Sequence, residues 1–299
     1  MEHILSAEQF DRKTIEEIFT VADTFPKSGE TPLSGKILAS LFYEPSTRTR
    51  LSFESAMLRQ GGGVISVENA NDSSSAIKGE TLEDTIRVVH HYADIIVLRH
   101  PERGAAARAA AVSQVPVINA GDGAGQHPTQ ALLDLYTIRH EIGKIDGIRI
   151  ACVGDLRNGR TVHSLLGLLT HYDDVSVTLI SPETLRIGDD IRATLTEHHV
   201  MFEEMTAWDG VLEKADVIYQ TRIQKERFGS AEEYEKAKGT YVLTQKEAAR
   251  MKKGAIIMHP LPRVDEIAPE VDALPQAVYF KQAGYGLLVR MALLQRLLG

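Results

Sequence analysis

The chain of 299 residues carries 41 acidic against 33 basic side chains, a formal net charge of -8, which argues against an extended nucleic-acid-binding face while leaving room for a local basic pocket. Hydrophobic residues at 43% and charged residues at 25% exclude a disordered or fibrous class, and the length suits two domains of roughly 150 residues each. Cys152 is the single cysteine, so neither an intrachain disulfide nor a cysteine-only metal cage can form. No stretch reaches the roughly 18 apolar residues of a membrane span, and residues 1–9 lack a secretory pattern. These properties point to the cytoplasm, with neither a membrane nor a nucleic acid as partner.

In chain order, short apolar runs predict strands at 36–42, 95–98, 115–118, 149–153, 175–180, 217–219 and 255–258. Helical spacing between them predicts helices at 51–60, 81–92, 129–141 and 161–171, and Leu287, Leu288, Met291, Leu294, Leu297 and Leu298 predict a last one at 286–298. Near-continuous apolar strands alternating with helices imply an α/β fold of two domains, each a mostly parallel sheet flanked by helices. A boundary at the glycine-rich loop 121–125 gives domains 1–127 and 128–299. The helix after Pro128 and the last helix, which packs back on the first domain, are expected to bridge the two.

In such sheets chemistry lies beyond the carboxyl ends of strands. The strand ending at Phe42 is followed by Ser46-Thr47-Arg48-Thr49-Arg50, where hydroxyls, free N–H groups of a first helical turn and planar guanidinium forks together suit a phosphate. Arg99 follows the next strand. His127 and Gln130 flank a helix start, where each can face the same pocket. Arg160, Arg222 and Arg263 follow later strands, and the turn around Pro260 and Pro262 presents carbonyls because proline nitrogens donate nothing. The loop 71–81 is polar, with Lys78 its single lysine.

Two glycine-rich stretches invite nucleotide readings. In residues 121–125 the third glycine comes too early for a dinucleotide fingerprint. Residues 154–161 resemble a P-loop but carry Arg160 where the phosphate-binding lysine belongs. A nucleotide-binding regulator therefore stands as an alternative of a different class.

Taken together, residues 46–50, 78–81, 99–101, 127–130, 159–161, 221–224 and 259–262 resemble the aspartate carbamoyltransferase family, in its order and spacing. The resemblance implies transfer of the carbamoyl group of carbamoyl phosphate to L-aspartate in pyrimidine biosynthesis, with no metal, cofactor or covalent nucleophile. It implies a carbamoyl phosphate site of Ser46, Thr47, Arg48, Thr49, Ser74, Lys78, Arg99, His127, Gln130 and the carbonyls of Pro260 and Leu261. Arg48, Thr49, Lys78, Arg99, His127 and Gln130 would be the catalytic groups, and Lys78, Arg160, Arg222 and Gln224 would hold aspartate. The first domain would then bind carbamoyl phosphate and the second aspartate. It further implies a homotrimer in which Ser74 and Lys78 enter a neighbour's site, and leaves open a zinc-containing regulatory chain, which accompanies some members.

Within the class, ornithine carbamoyltransferase is the rival. It shares the phosphate motif but usually has a cysteine in its later His-Cys-Leu-Pro turn, where this chain has His259-Pro260-Leu261-Pro262. Arg222 also favours a carboxylate over an ornithine side chain. A catalytically dead subunit of a carbamoyltransferase assembly is the remaining possibility, and against it no ligand position is lost.

Overall fold

Strand β1 (Ile37–Phe42) is buried from Leu38 onward, as expected of a strand covered on both faces, and it forms the centre of a parallel sheet. The protein is described from a computed structural model covering residues 2–25, 31–68, 79–123, 125–223 and 239–299. Contacts divide the chain into one unit of Met1–Leu133 with Gly284–Gly299 and a second of Asp134–Ala283. The divisions fall inside two helices, α5 (Pro128–Ile142) and α9 (Tyr279–Leu298), so each helix contributes residues to both units.

The first unit contains α1 (Arg12–Ala22), β1, α2 (Thr47–Arg59), β2 (Gly63–Glu68), α3 (Leu82–Val89), β3 (Ile95–His100), α4 (Ala105–Val112) and β4 (Val117–Asp122). Its strands lie in the order β2-β1-β3-β4, all parallel. Beyond β4, Ile4 pairs with the sheet, donating to Val117 O at 2.9 Å and accepting from Asn119 N at 2.7 Å. Leu41, Ile86, Ile96, Leu98, Ala109 and Val117 form one buried cluster of the unit. The C-terminal part of α9 packs here: Gln60 donates to Met291 O at 3.2 Å, and Arg290 donates to Ser52 Oγ at 2.8 Å while lying 5.1 Å over the Phe53 ring.

The second unit contains β5 (Arg149–Val153), α6 (Arg160–Leu169), β6 (Ser176–Ile180), α7 (Asp189–Glu197), β7 (Met201–Met205), β8 (Val217–Gln220), α8 (Gln245–Ala248) and β9 (Ile256–Met258). Its parallel sheet runs β7-β6-β5-β8-β9 over a core that includes Val153, Ile180, Leu212, Ile218, Leu243, Ile257 and Val271.

Elements differ from the sequence expectation where local pattern is weak. Helix α2 begins at Thr47 rather than 51, so Thr47, Arg48 and Thr49 form its first turn. Strand β3 runs on through Arg99 and His100, and β4 takes in Gly121 and Asp122, which read as loop. The edge strands β2 and β7 are only partly buried, so neither offers a continuous apolar run. Among the described residues no helix is long and apolar enough to cross a membrane.

Candidate functional site

Each sheet has one place where successive crossovers leave a central strand in opposite directions, and ligands favour the carboxyl ends of strands there. In the first unit this point lies between β1 and β3, where Phe42 stands opposite Arg99 and Tyr43 donates to Arg99 O at 2.8 Å. The turn into α2 starts from that strand end. Ser46 is the N-cap, yet its hydroxyl makes no capping bond, and the first turn holds no acidic residue. A first helical turn has backbone N–H groups without intrahelical partners and a positive end potential, normally matched by acidic side chains. Here the residues are Thr47, Arg48 and Thr49, so the turn's free N–H groups meet no acidic side chain of that turn and can accept an external anion.

The two arginines of the motif are not equivalent. Arg50 lies 2.9 Å from Glu68 and 3.4 Å from Glu54, whereas the guanidinium of exposed Arg48 has no hydrogen bond or ion pair among the described residues. Thr49 is buried beneath the turn. Arg99 is 11% exposed; it donates to Ala120 O at 3.3 Å and lies 3.3 Å from Glu44. Glu44 thus holds this guanidinium at the strand edge, a contact that sequence reading missed because a lone glutamate in a turn gives no signal of its partner.

The end of β4 brings the third motif to the same edge. Gly123 donates to His100 O at 2.9 Å and has φ +55; an added Cβ would come within 2.3 Å of Pro101 O. The glycine is therefore a packing requirement, not part of a dinucleotide loop. Asp122 braces the turn by accepting from Gly104 N and Gln126 N, both at 2.8 Å, and from Asn119 Nδ2 at 3.1 Å. Buried His127 then starts α5, its carbonyl accepting from Gln130 N at 3.0 Å and Ala131 N at 3.2 Å. His100 is buried against Tyr43, with ring centroids 4.9 Å apart, and its Nδ1 accepts from Glu102 N at 3.1 Å. Burial lowers its pKa from the ordinary histidine value, despite nearby carboxylates.

In the second unit the corresponding point lies between β5 and β8, where Val153 stands opposite Gln220. Gly154 follows with φ +120, and a Cβ there would meet Thr221 O at 2.4 Å. Asp155 is fully buried and accepts from Asn158 N at 3.0 Å and from Asn158 Nδ2 at 3.1 Å. A carboxylate thus engages the loop's own donors, the opposite of a phosphate cradle. Arg160 opens α6 and Arg222 follows β8, both partly buried. After β9, Pro260 and Leu261 form the carbonyl-bearing turn, with Leu261 at φ +53. A cleft in this unit is lined by Gly154, Gln220, Thr221, Ile223, Asp265 and Glu266.

The first unit therefore gathers Ser46, Thr47, Arg48, Thr49, Arg99, His127 and Gln130 around the carboxyl edge of its sheet. The second gathers Arg160, Arg222, Pro260 and Leu261 around its own. Ser74, Lys78 and Gln224 lie outside the described residues. Among the described residues no group of three or more His, Cys, Asp or Glu is placed to hold a metal ion.

Comparison with known proteins covers both units. The family model for the aspartate/ornithine carbamoyltransferase carbamoyl-P binding domain matches residues 2–140, and that for the Asp/Orn binding domain matches residues 146–297. The chain is 54% identical over 303 residues to the aspartate carbamoyltransferase catalytic subunit of Methanocaldococcus jannaschii, covering 100% of this chain and 98% of the relative. It is 56% identical over 304 residues to a chloroplastic aspartate carbamoyltransferase of Pisum sativum, covering 100% of this chain and 79% of that protein. Among solved structures, the M. jannaschii aspartate transcarbamoylase catalytic subunit matches with a TM-score of 0.92, covering 99% of this chain and 98% of that one at 54% identity. The Trypanosoma cruzi aspartate transcarbamoylase in complex with N-(phosphonacetyl)-L-aspartic acid matches with a TM-score of 0.94 and 42% identity, covering 100% of this chain and 96% of that one.

Proposed function

The chain belongs to the aspartate/ornithine carbamoyltransferase family, and from that premise we propose that it transfers the carbamoyl group of carbamoyl phosphate to the amino group of L-aspartate, giving N-carbamoyl-L-aspartate and phosphate in pyrimidine biosynthesis. The observation that carries this reading is the 54–56% identity along essentially its whole length to proteins named aspartate carbamoyltransferase.

In this reading the α2 turn, with Ser46, Thr47, Arg48 and Thr49, receives the phosphate through backbone N–H groups, hydroxyls and one uncommitted guanidinium. Arg99 assists once the ligand competes with Glu44 for it. Thr49, Arg99 and His127 polarise the carbamoyl carbonyl, where the attacking amine places negative charge; each preorganised donor of this kind is typically worth about 10²–10³ in rate. Gln130 and the carbonyls of Pro260 and Leu261 take the carbamoyl NH2. Arg160 and Arg222, with Gln224, receive the aspartate carboxylates, and Lys78 serves both substrates. The amine nitrogen bonds to the carbamoyl carbon, the bond to the phosphate oxygen breaks, and the leaving phosphate takes the amine proton. Positioning and exclusion of water supply the remaining rate.

The same reading makes the protein a homotrimer with shared sites, each receiving Ser74 and Lys78 from a neighbour, and makes a zinc-containing regulatory chain a candidate partner. A lone buried Cys152 is in keeping with a reducing compartment, the cytoplasm. The test is a product assay with carbamoyl phosphate in which aspartate and ornithine are offered in parallel. Carbamoyl aspartate is the expected product, and turnover of ornithine alone would sink the assignment.

A further inference from the structure

Asp134 is a fully buried carboxylate on α5, in the otherwise apolar run Ala131-Leu132-Leu133-Asp134-Leu135-Tyr136. Its Oδ2 accepts the Tyr219 hydroxyl at 2.7 Å, and its Oδ1 accepts Gln282 Nε2 at 2.7 Å. A carboxylate takes only donors, so Gln282 must present its NH2 to Asp134 and its carbonyl elsewhere. That carbonyl accepts the backbone N–H of His259 at 2.9 Å.

The buried His259 ring continues the chain. Its Nδ1 accepts the N–H of Leu261 at 2.7 Å, which places the proton on Nε2, and Nε2 donates to Glu266 Oε1 at 2.7 Å. The other Glu266 oxygen accepts from Val264 N at 3.1 Å and Asp265 N at 3.2 Å. Hydrogen bonds therefore fix both ends of the turn from His259 to Glu266. Leu261 has φ +53, a conformation that a leucine keeps only when its surroundings dictate it. Here they do so through its own N–H.

We propose that Asp134 and Gln282 are positioning residues that act through His259 to aim the Pro260 and Leu261 carbonyls at the carbamoyl NH2. The network thereby sets how well the protein tells an amide from a methyl group on an acyl phosphate. This rests on the functional reading above, which gives those carbonyls their ligand. Asp134, Tyr219 and Gln282 have no role in that reading. Buried polar chains of this kind are costly unless every member is satisfied, so one substitution propagates along them.

The experiment compares wild type and Gln282→Ala with two ligands: carbamoyl phosphate as substrate, and acetyl phosphate, which has a methyl in place of the NH2, as competitor. Gln282→Ala is expected to raise the KM for carbamoyl phosphate about tenfold and to leave the acetyl phosphate inhibition constant within about twofold, because a methyl donates nothing to a carbonyl. The double variant Asp134→Asn with Gln282→Glu exchanges donor and acceptor between the two positions, and should recover most of the lost discrimination where either single change does not.

Equal weakening of both ligands, or a fall in kcat alone with both ligand constants unchanged, would assign Gln282 a merely structural role and overturn the proposal. If Gln282→Ala does not fold, Tyr219→Phe removes the other donor to Asp134 and should show the same split on a smaller scale; no split would overturn the proposal equally. Lack of turnover by the wild type would instead remove the functional reading itself.

Discussion

Arg50 lies 2.9 Å from Glu68, a carboxylate at the end of the neighbouring strand β2, while Arg48, two residues earlier in the same helical turn, has no acidic partner among the described residues. A motif with two arginines thus holds one structural cation and one available to an anion. Arg48→Ala is expected to lower kcat by about 10²–10³ with little change in the unfolding midpoint. Arg50→Ala is expected to cost about 1 kcal/mol in stability, read by urea titration, and to lower turnover far less. A reversal of the two outcomes would exchange their roles.

The glycines of the second unit make a paired test. Gly154 has φ +120, and a Cβ there would come within 2.4 Å of Thr221 O, so Gly154→Ala should destabilise by about 2–4 kcal/mol through backbone strain and overpacking. Gly167, inside α6, has nothing within 4 Å of an added Cβ. There alanine should stabilise by about 0.5–1 kcal/mol. Denaturant midpoints of the two variants should move in opposite directions.

Acid should weaken the first unit. Burial lowers the pKa of His100, and burial followed by repulsion from the N-terminal charge lowers that of His3. The unfolded chain takes up protons near the ordinary histidine value of about 6.5, before the folded chain does, so it binds more protons in the window below that value. Stability is then full above about pH 6.5 and falls as pH drops through that window, by at most about 1.4 kcal/mol per pH unit for each histidine. His100→Asn, which can still accept from Glu102 N, should flatten this slope between pH 7.5 and 5.5. An unchanged slope would show that His100 is not its source.

If sites are shared in a trimer, inactive subunits should complement one another. Lys78→Ala and Arg48→Ala chains, mixed after dissociation, should regain activity through sites that draw intact Arg48 from one subunit and intact Lys78 from the next, up to about a quarter of all sites on random pairing in a ring. Activity that stays absent in verified mixed oligomers would make each site the property of one chain.

The α/β class was legible because β1, β3, β5 and β8 are near-continuous apolar runs, and a run buried on both faces needs a parallel sheet. The edge strands β2 and β7 were not: Glu203 and Glu204 on β7 and the half-exposed Gly63–Glu68 resemble solvated segments until the neighbouring strand is in place. Helix α1 could have been found, since Ile15, Ile18, Phe19 and Ala22 are spaced for one buried face and Asp11 caps the start by accepting from Thr14 N at 2.8 Å. In the candidate site, residue types and strand ends were readable. Glu54, four residues after Arg50, was a readable partner, but the shorter contact was not, because Glu68 reaches Arg50 only through the pairing of β1 with β2. Asp134 left one usable trace, a single acid inside an apolar helical run.

Because α9 divides between Ala283 and Gly284, the first unit is interrupted in sequence by the second, which is one continuous segment. A chain emerging from the ribosome therefore presents every residue of the second unit before the first can close. Until its last turns are synthesised, Gln60 lacks Met291, Ser52 lacks Arg290 and Glu2 lacks Arg296. Of the two units the one that begins first is finished last, and helix α2 gains its contact with Arg290 only after the whole second unit has been made.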